Sequence, residues 1–131
     1  MKAIPYDFMG DGFKAMVGLL WHLSSKKIKD KIVLIEEPET NMHPGYICQL
    51  VKFLVKFSKD LNIQFFTTSH NIDFIDSFFS ETLGKEEKDY LTKELQIIRM
   101  EKEKNYIIPE CLDYKDSQLN MEELLIDLRG I

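Results

Sequence analysis

The amino-acid sequence predicts an α/β fold: a parallel sheet with flanking helices, followed by a C-terminal β-hairpin and a last helix. The first observation is Ile32-Val33-Leu34-Ile35, an unbroken apolar run that ends in Glu36-Glu37 and is closed by Pro38. Such a run reads as a strand covered on both faces, the pattern of parallel sheets. The second is a helix-periodic stretch, Ile47, Leu50, Val51 and Leu54, leading into a β-branched and aromatic run over 63–69. Strand, helix and strand joined by short links make a βαβ unit. The third lies downstream, where 95–100 and 105–108 flank the polar residues 101–104 in the manner of a hairpin.

Taken in order, residues 1–9 read as a lead-in loop or edge segment. Gly10-Asp11-Gly12 directly precedes Phe13, Met16, Val17, Leu20 and Leu23, an apolar set at helical spacing. A glycine-rich loop opening a helix offers backbone N–H groups at the positive end of the dipole, with little to keep an anion away. The same three residues also read as a plain turn in which Asp11 caps the helix. Residues 24–31 form a charged loop before the strand over 32–36. Pro44 opens the second helix, where its missing N–H is harmless, and Ile47, Leu50, Val51, Leu54 and Ser58 share a face until Asp60-Leu61-Asn62. After the second strand, a helix from about Asn71 carries Ile72, Ile75, Phe78 and Phe79 and fades at Leu83-Gly84. Residues 85–93 are charged and read as a short helix or a loop. The last helix is expected over 121–128, with Asn120 and Glu123 as a capping pair and Gly130 as its stop.

Bulk properties bound the function. A chain of 131 residues with 44% hydrophobic content is expected to form one domain spanning 1–131. The formal net charge of −5 gives no diffuse positive field for phosphate backbones, so nucleic-acid contact is not indicated. The basic clusters at 26–29 and 102–104 read as solvated loop charge. Cys48 and Cys111 are far apart, with neither a C-x-x-C spacing nor a secretory segment, which points to a reduced cytoplasmic setting. Nothing approaches the length of a membrane span. Cys48 and the Phe-rich set, Phe65, Phe66, Phe74, Phe78 and Phe79, read as core, and His22 as structural.

The chemistry gathers at strand ends. Ligands of open α/β sheets bind beyond the carboxyl ends of the strands, where Glu36, Glu37 and Glu39 fall. Adjacent carboxylates repel when desolvated, a conflict that a Mg²⁺ ion resolves. Successive strand residues point to opposite faces, so Glu36 and Glu37 take different roles, one toward a metal and one toward a water. Parallel pairing would bring His70, just past the second strand, to the same sheet edge. Three histidines near these carboxylates raise a zinc hydrolase as a rival, but no H-E-x-x-H or comparable spacing is present.

The order of Gly10-Asp11-Gly12, a strand ending in Glu36-Glu37-Pro38-Glu39 with Met42-His43-Pro44 behind it, and a strand ending in Thr67-Thr68-Ser69-His70 resembles the C-terminal half of an ABC-type ATPase. The resemblance is to the RecF, OLD and SMC-like group with its AAA-type members, and it covers nearly the whole chain. It implies a partial P-loop NTPase fold in which 32–37 is a Walker B strand. By that likeness Glu37 is the catalytic glutamate that polarises water and Glu36 supports Mg²⁺. Residues 40–43 correspond to the D-loop, with a structural hydrogen bond from His43 equally open. His70 is the switch histidine at the γ-phosphate, and Met9-Gly10-Asp11-Gly12 is a degenerate signature motif facing ATP.

The sequence lacks a principal part of that pattern. It contains no G-x-x-x-x-G-K-[ST], so the main phosphate cradle is expected on an upstream segment, and ATP binding and turnover by the chain alone are expected to be weak. The expected partners are ATP with Mg²⁺ and a P-loop-bearing half or full-length copy. A homo-oligomer is also expected, through the open strand edge at 63–69 or the ABC-type dimer face. The alternative from another class is an interaction module that keeps the fold without turnover.

Overall fold

The computed structural model describes residues 10–24 and 28–122. The lead-in over 1–9, the basic pair Lys26-Lys27 and the expected helix stop at Gly130 lie outside them. The chain divides into two compact units between Ser69 and His70.

The first unit contains α1 (Asp11–Leu23), β1 (Ile32–Glu36), α2 (Pro44–Leu61) and β2 (Gln64–Thr68). β1 and β2 pair in parallel, with Ile32 opposite Gln64 and Glu36 opposite Thr68, so the predicted βαβ unit is present. The predicted stripe of α2 is its buried face: Ile47, Leu50, Val51 and Leu54 are buried together with Val55, as are Met16 and Leu23 of α1 and Ile63, and α2 touches both α1 and β2. At its C-terminus Asn62 adopts a left-handed conformation, φ 52°. Asn62 Nδ2 donates to Asp30 Oδ1 at 2.9 Å, tying the end of α2 to the turn that enters β1.

β1 is not covered on both faces. Val33, Ile35, Phe65 and Thr67 are half-buried, whereas Ile32, Leu34 and Phe66 on the other face are 62%, 79% and 47% exposed. The reason is the small sheet: among the described residues β1 and β2 form a two-stranded sheet, and α2 supplies cover from one side. Of the predicted core set Phe74 is fully buried, Cys48, Phe65, Phe78 and Phe79 are half-buried and Phe66 is exposed, as is His22.

The second unit contains α3 (Ile72–Ser77), α4 (Lys85–Glu94), β3 (Gln96–Glu103), β4 (Tyr106–Asp113) and α5 (Tyr114–Glu122). The helix expected from about Asn71 is present, and Asn71 caps it, its Oδ1 accepting from the Asp73 N–H at 2.8 Å. The helix stops at Ser77 instead of fading at Leu83. The Ser77 hydroxyl donates to the Asp73 carbonyl at 2.6 Å, and the N–H groups of Phe78 and Phe79 turn to carbonyls three residues back. Side-chain competition and a tightened last turn end it there. The charged stretch 85–93 is helical.

β3 and β4 form an antiparallel hairpin longer than predicted, because 101–103 pair with 106–108 and only Lys104 and Asn105 turn. Polar residues are tolerated on so open a ribbon, and Pro109 fits because a two-stranded sheet leaves an edge where no N–H is needed. Arg99 clamps the ribbon, reaching Glu101 at 2.7 Å and Glu110 at 2.6 Å. Phe74, Ile75, Leu83, Leu91, Leu112 and Tyr114 are buried in this unit. The last helix begins seven residues before the predicted start, because Asp113 Oδ1 accepts from the Asp116 N–H at 2.9 Å and caps it. Glu123 and the rest of the predicted helix lie outside the described residues. No helix among the described residues is long and apolar enough to cross a membrane.

Candidate functional site

The carboxyl ends of β1 and β2 form the candidate site. Glu36 closes β1 opposite Thr68, and the ladder runs one residue further, the Glu37 N–H donating to the Thr68 carbonyl at 3.0 Å. Glu37 is bound into the sheet by its backbone but leaves strand geometry, with φ at 42°. A residue with a Cβ is disfavoured in that region by roughly 1–2 kcal/mol, and such strain concentrates where a side chain has to be aimed. The Thr40 hydroxyl donates to Glu37 Oε2 at 3.3 Å and restrains its carboxylate. Both Glu36 and Glu37 are exposed.

Two successive turns carry the chain from Glu37 to α2. The Thr40 N–H reaches the Glu37 carbonyl at 3.0 Å and the Met42 N–H reaches the Glu39 carbonyl at 2.9 Å. His43 is the N-cap of α2, its Nδ1 accepting from the Gly45 N–H at 3.2 Å. With Nδ1 accepting, Nε2 is left to carry the ring proton.

The glycine loop abuts these turns. α1 begins at Asp11 with Gly10 as an N-cap that makes no side-chain hydrogen bond. Asp11 is not the cap: it is the first helical residue, and its carboxylate lies 3.9 Å from Lys14 Nζ. Gly12 is buried, and a Cβ there would stand 2.9 Å from Met42 Cα and closer still to the Asn41 carbonyl oxygen. The absence of a side chain at Gly12 thus lets α1 meet the 41–42 backbone, whereas nothing lies within 4 Å of a Cβ at Gly10.

The structure therefore brings together Glu36, Glu37, Thr40 and the 41–43 turn, with Gly12 against the 41–42 backbone and Gly10 and Asp11 just before it at the start of α1. His70 follows β2 by two residues, is exposed, and opens the second unit. Sequence reasoning set Glu39 among the strand-end carboxylates without a task of its own; it is 4% exposed, accepts a hydrogen bond from the Ser69 hydroxyl through Oε1, and has no partner for Oε2 among the described residues. The carboxylate was visible in the sequence, but nothing in a linear pattern pairs it with a serine thirty positions away.

The family model described as "AAA domain, putative AbiEii toxin, Type IV TA system" matches residues 2–76, more than half of the chain. The chain belongs to this AAA-domain family. An uncharacterized protein of Methanocaldococcus jannaschii is 31% identical over 122 residues, covering 93% of this chain and 100% of its own length. In fold, the AAA-type chain is similar to a solved structure from work on ATP-driven dimerization and DNA-stimulated activation of SMC ATPases, with a TM-score of 0.59 at 14% identity over 92% of this chain. The chain spans 65% of that structure's length. Family and fold together are those of an ATPase-type α/β domain, the P-loop NTPase-like architecture expected from the sequence.

Proposed function

We propose that the chain acts as an ABC-type ATPase half-domain, residues 1–131 forming one such domain, with the P-loop supplied by another segment or chain. The observation that carries this reading is Glu37, held at the carboxyl end of a parallel strand pair by the Thr68 carbonyl, in a left-handed conformation, with its carboxylate tethered to Thr40. Phosphoryl transfer asks a protein for positioned charge and an oriented water rather than covalent help. Glu37 is the residue to orient that water and Glu36 the one to support a metal, while His70 contacts the γ-phosphate.

The donor set fits Mg²⁺. This ion takes one or two carboxylates together with waters and substrate phosphates, and Glu36 and Glu37 offer two exposed carboxylates at one strand end. When bound, it would neutralise charge on the phosphates. The uncapped α1 N-terminus, with Asp11 and Gly12 behind Gly10, suits the signature role of presenting backbone N–H groups to an anion. The 40–43 turns take the D-loop role, with the structural duty of His43 at α2 beside it. The lack of a P-loop sequence favours a second reading, an interaction module that keeps the fold without turnover.

Calorimetric titration with ATP and Mg²⁺, on the chain alone and mixed with a P-loop-bearing half, separates the readings. Weak binding alone, turnover in the mixture, and an ATP-trapped complex with Glu37→Gln are expected. A mixture whose activity ignores Glu37→Gln sinks the catalytic assignment.

A further inference from the structure

We propose that Glu39 is a positioning residue that couples the loop carrying Glu37 to the end of β2, and so fixes the point from which His70 departs. This rests on the roles of Glu37 and His70 proposed above. Glu36, Glu37 and Thr40 are all exposed, yet Glu39 among them is buried. Its Oε1 accepts the Ser69 hydroxyl, and Ser69 is bonded directly to His70. Its backbone carbonyl accepts the Met42 N–H, and the Thr40 N–H beside it closes the turn on the Glu37 carbonyl. One side chain therefore joins the two strand ends where the site's groups begin.

The chemistry of the contact argues that it is selected for position. A buried carboxylate oxygen without a partner opposes folding, and a buried carboxylate is a costly acceptor for a serine hydroxyl that water or a carbonyl would satisfy. Glu39 Oε2 is such an oxygen among the described residues. What the carboxylate adds is a charge-assisted bond, about twice as strong as a neutral one, aimed at a single residue of β2's exit. That is what a residue does when the location of its partner matters more than the stability of the fold.

Two-dimensional NMR of the His70 imidazole in the nucleotide-free 131-residue chain tests this, with Glu39→Ala, Glu39→Gln and Ser69→Ala. The expected result is that Glu39→Ala and Ser69→Ala displace the His70 ring resonances in the same direction, while Glu39→Gln, which keeps an acceptor, returns them toward the wild-type position. Methyl resonances of Val51 and Leu54 should stay in place, which a rearrangement spread through the core of the first unit would not allow. His70 resonances unchanged in Ser69→Ala overturn the proposal. So does a displacement by Glu39→Ala that Glu39→Gln fails to reverse. Should Glu39→Ala not fold, Ser69→Ala and Glu39→Gln decide alone. A wild-type His70 that ignores Mg²⁺ and ATP beside a P-loop-bearing half counts against the ATPase reading, while the nucleotide-free spectra still judge the coupling.

Discussion

At the scale of single residues, two glycines of α1 separate packing from propensity. Gly12 is pressed against the Asn41 carbonyl and Met42 Cα, whereas Gly18 on the same helix has nothing within 4 Å of a Cβ. Gly18→Ala should therefore raise stability by about 0.5–1 kcal/mol, the usual gain from alanine inside a helix. Gly12→Ala gains the same propensity but drives a methyl into backbone that cannot yield as a side chain would, and overpacking costs about 1–3 kcal/mol. Thermal melts of the two variants should move in opposite directions, and a stabilised Gly12→Ala would mean that the α1 contact with the 41–42 turn is dispensable. The glycine pattern was legible in the sequence as a helix opening. That one glycine serves close approach of two backbones was not, because the second backbone is the turn after β1.

At the scale of elements, α3 holds a testable electrostatic penalty. Asp76 has its carboxyl pKa raised above the usual 3.8, first by burial and then by the negative charge of Asp73 one turn earlier. A raised folded-state pKa means that the folded chain prefers the protonated form. Relative to an unperturbed carboxyl, the stability of that form is fully present below pH 3.8 and is lost as pH rises through the folded value. Asp76→Asn should then melt higher than wild type at pH 7, with the gap closing as pH falls below 3.8, and a lower melting temperature at pH 7 would overturn the assignment. Element types were mostly legible, since the α2 stripe and the apolar run of β1 declare their periods. Ends were less so. The early start of α5 depends on Asp113 turning its carboxylate to the Asp116 N–H, and that cap was hidden behind the last residues of β4.

At the scale of the whole molecule, the two-stranded β1–β2 sheet has open edges among the described residues. Exposed strand edges present backbone groups ready to pair with another chain. Sedimentation velocity at rising concentration should therefore show a mass that grows beyond 15.4 kDa, and Phe66→Lys should limit that growth by placing a charge beside the β2 edge. A monomer at every concentration would sink the idea of edge pairing.

By itself, the sequence determined the α/β class, the parallel pairing of β1 with β2, the buried stripe of α2 and the placing of Glu36-Glu37 at a strand end. These follow from local chemistry: periodicity, side-chain branching and turn residues act over a few positions and can be read in a line. Tertiary structure alone decided that Ile32, Leu34 and Phe66 remain open to solvent, that Gly12 meets the 41–42 backbone, and that Glu39 reaches Ser69. Exposure depends on what covers a face, and a contact across thirty residues depends on register between strands. Neither is encoded in the residues of the strand itself, so both emerge only when the chain has closed on itself.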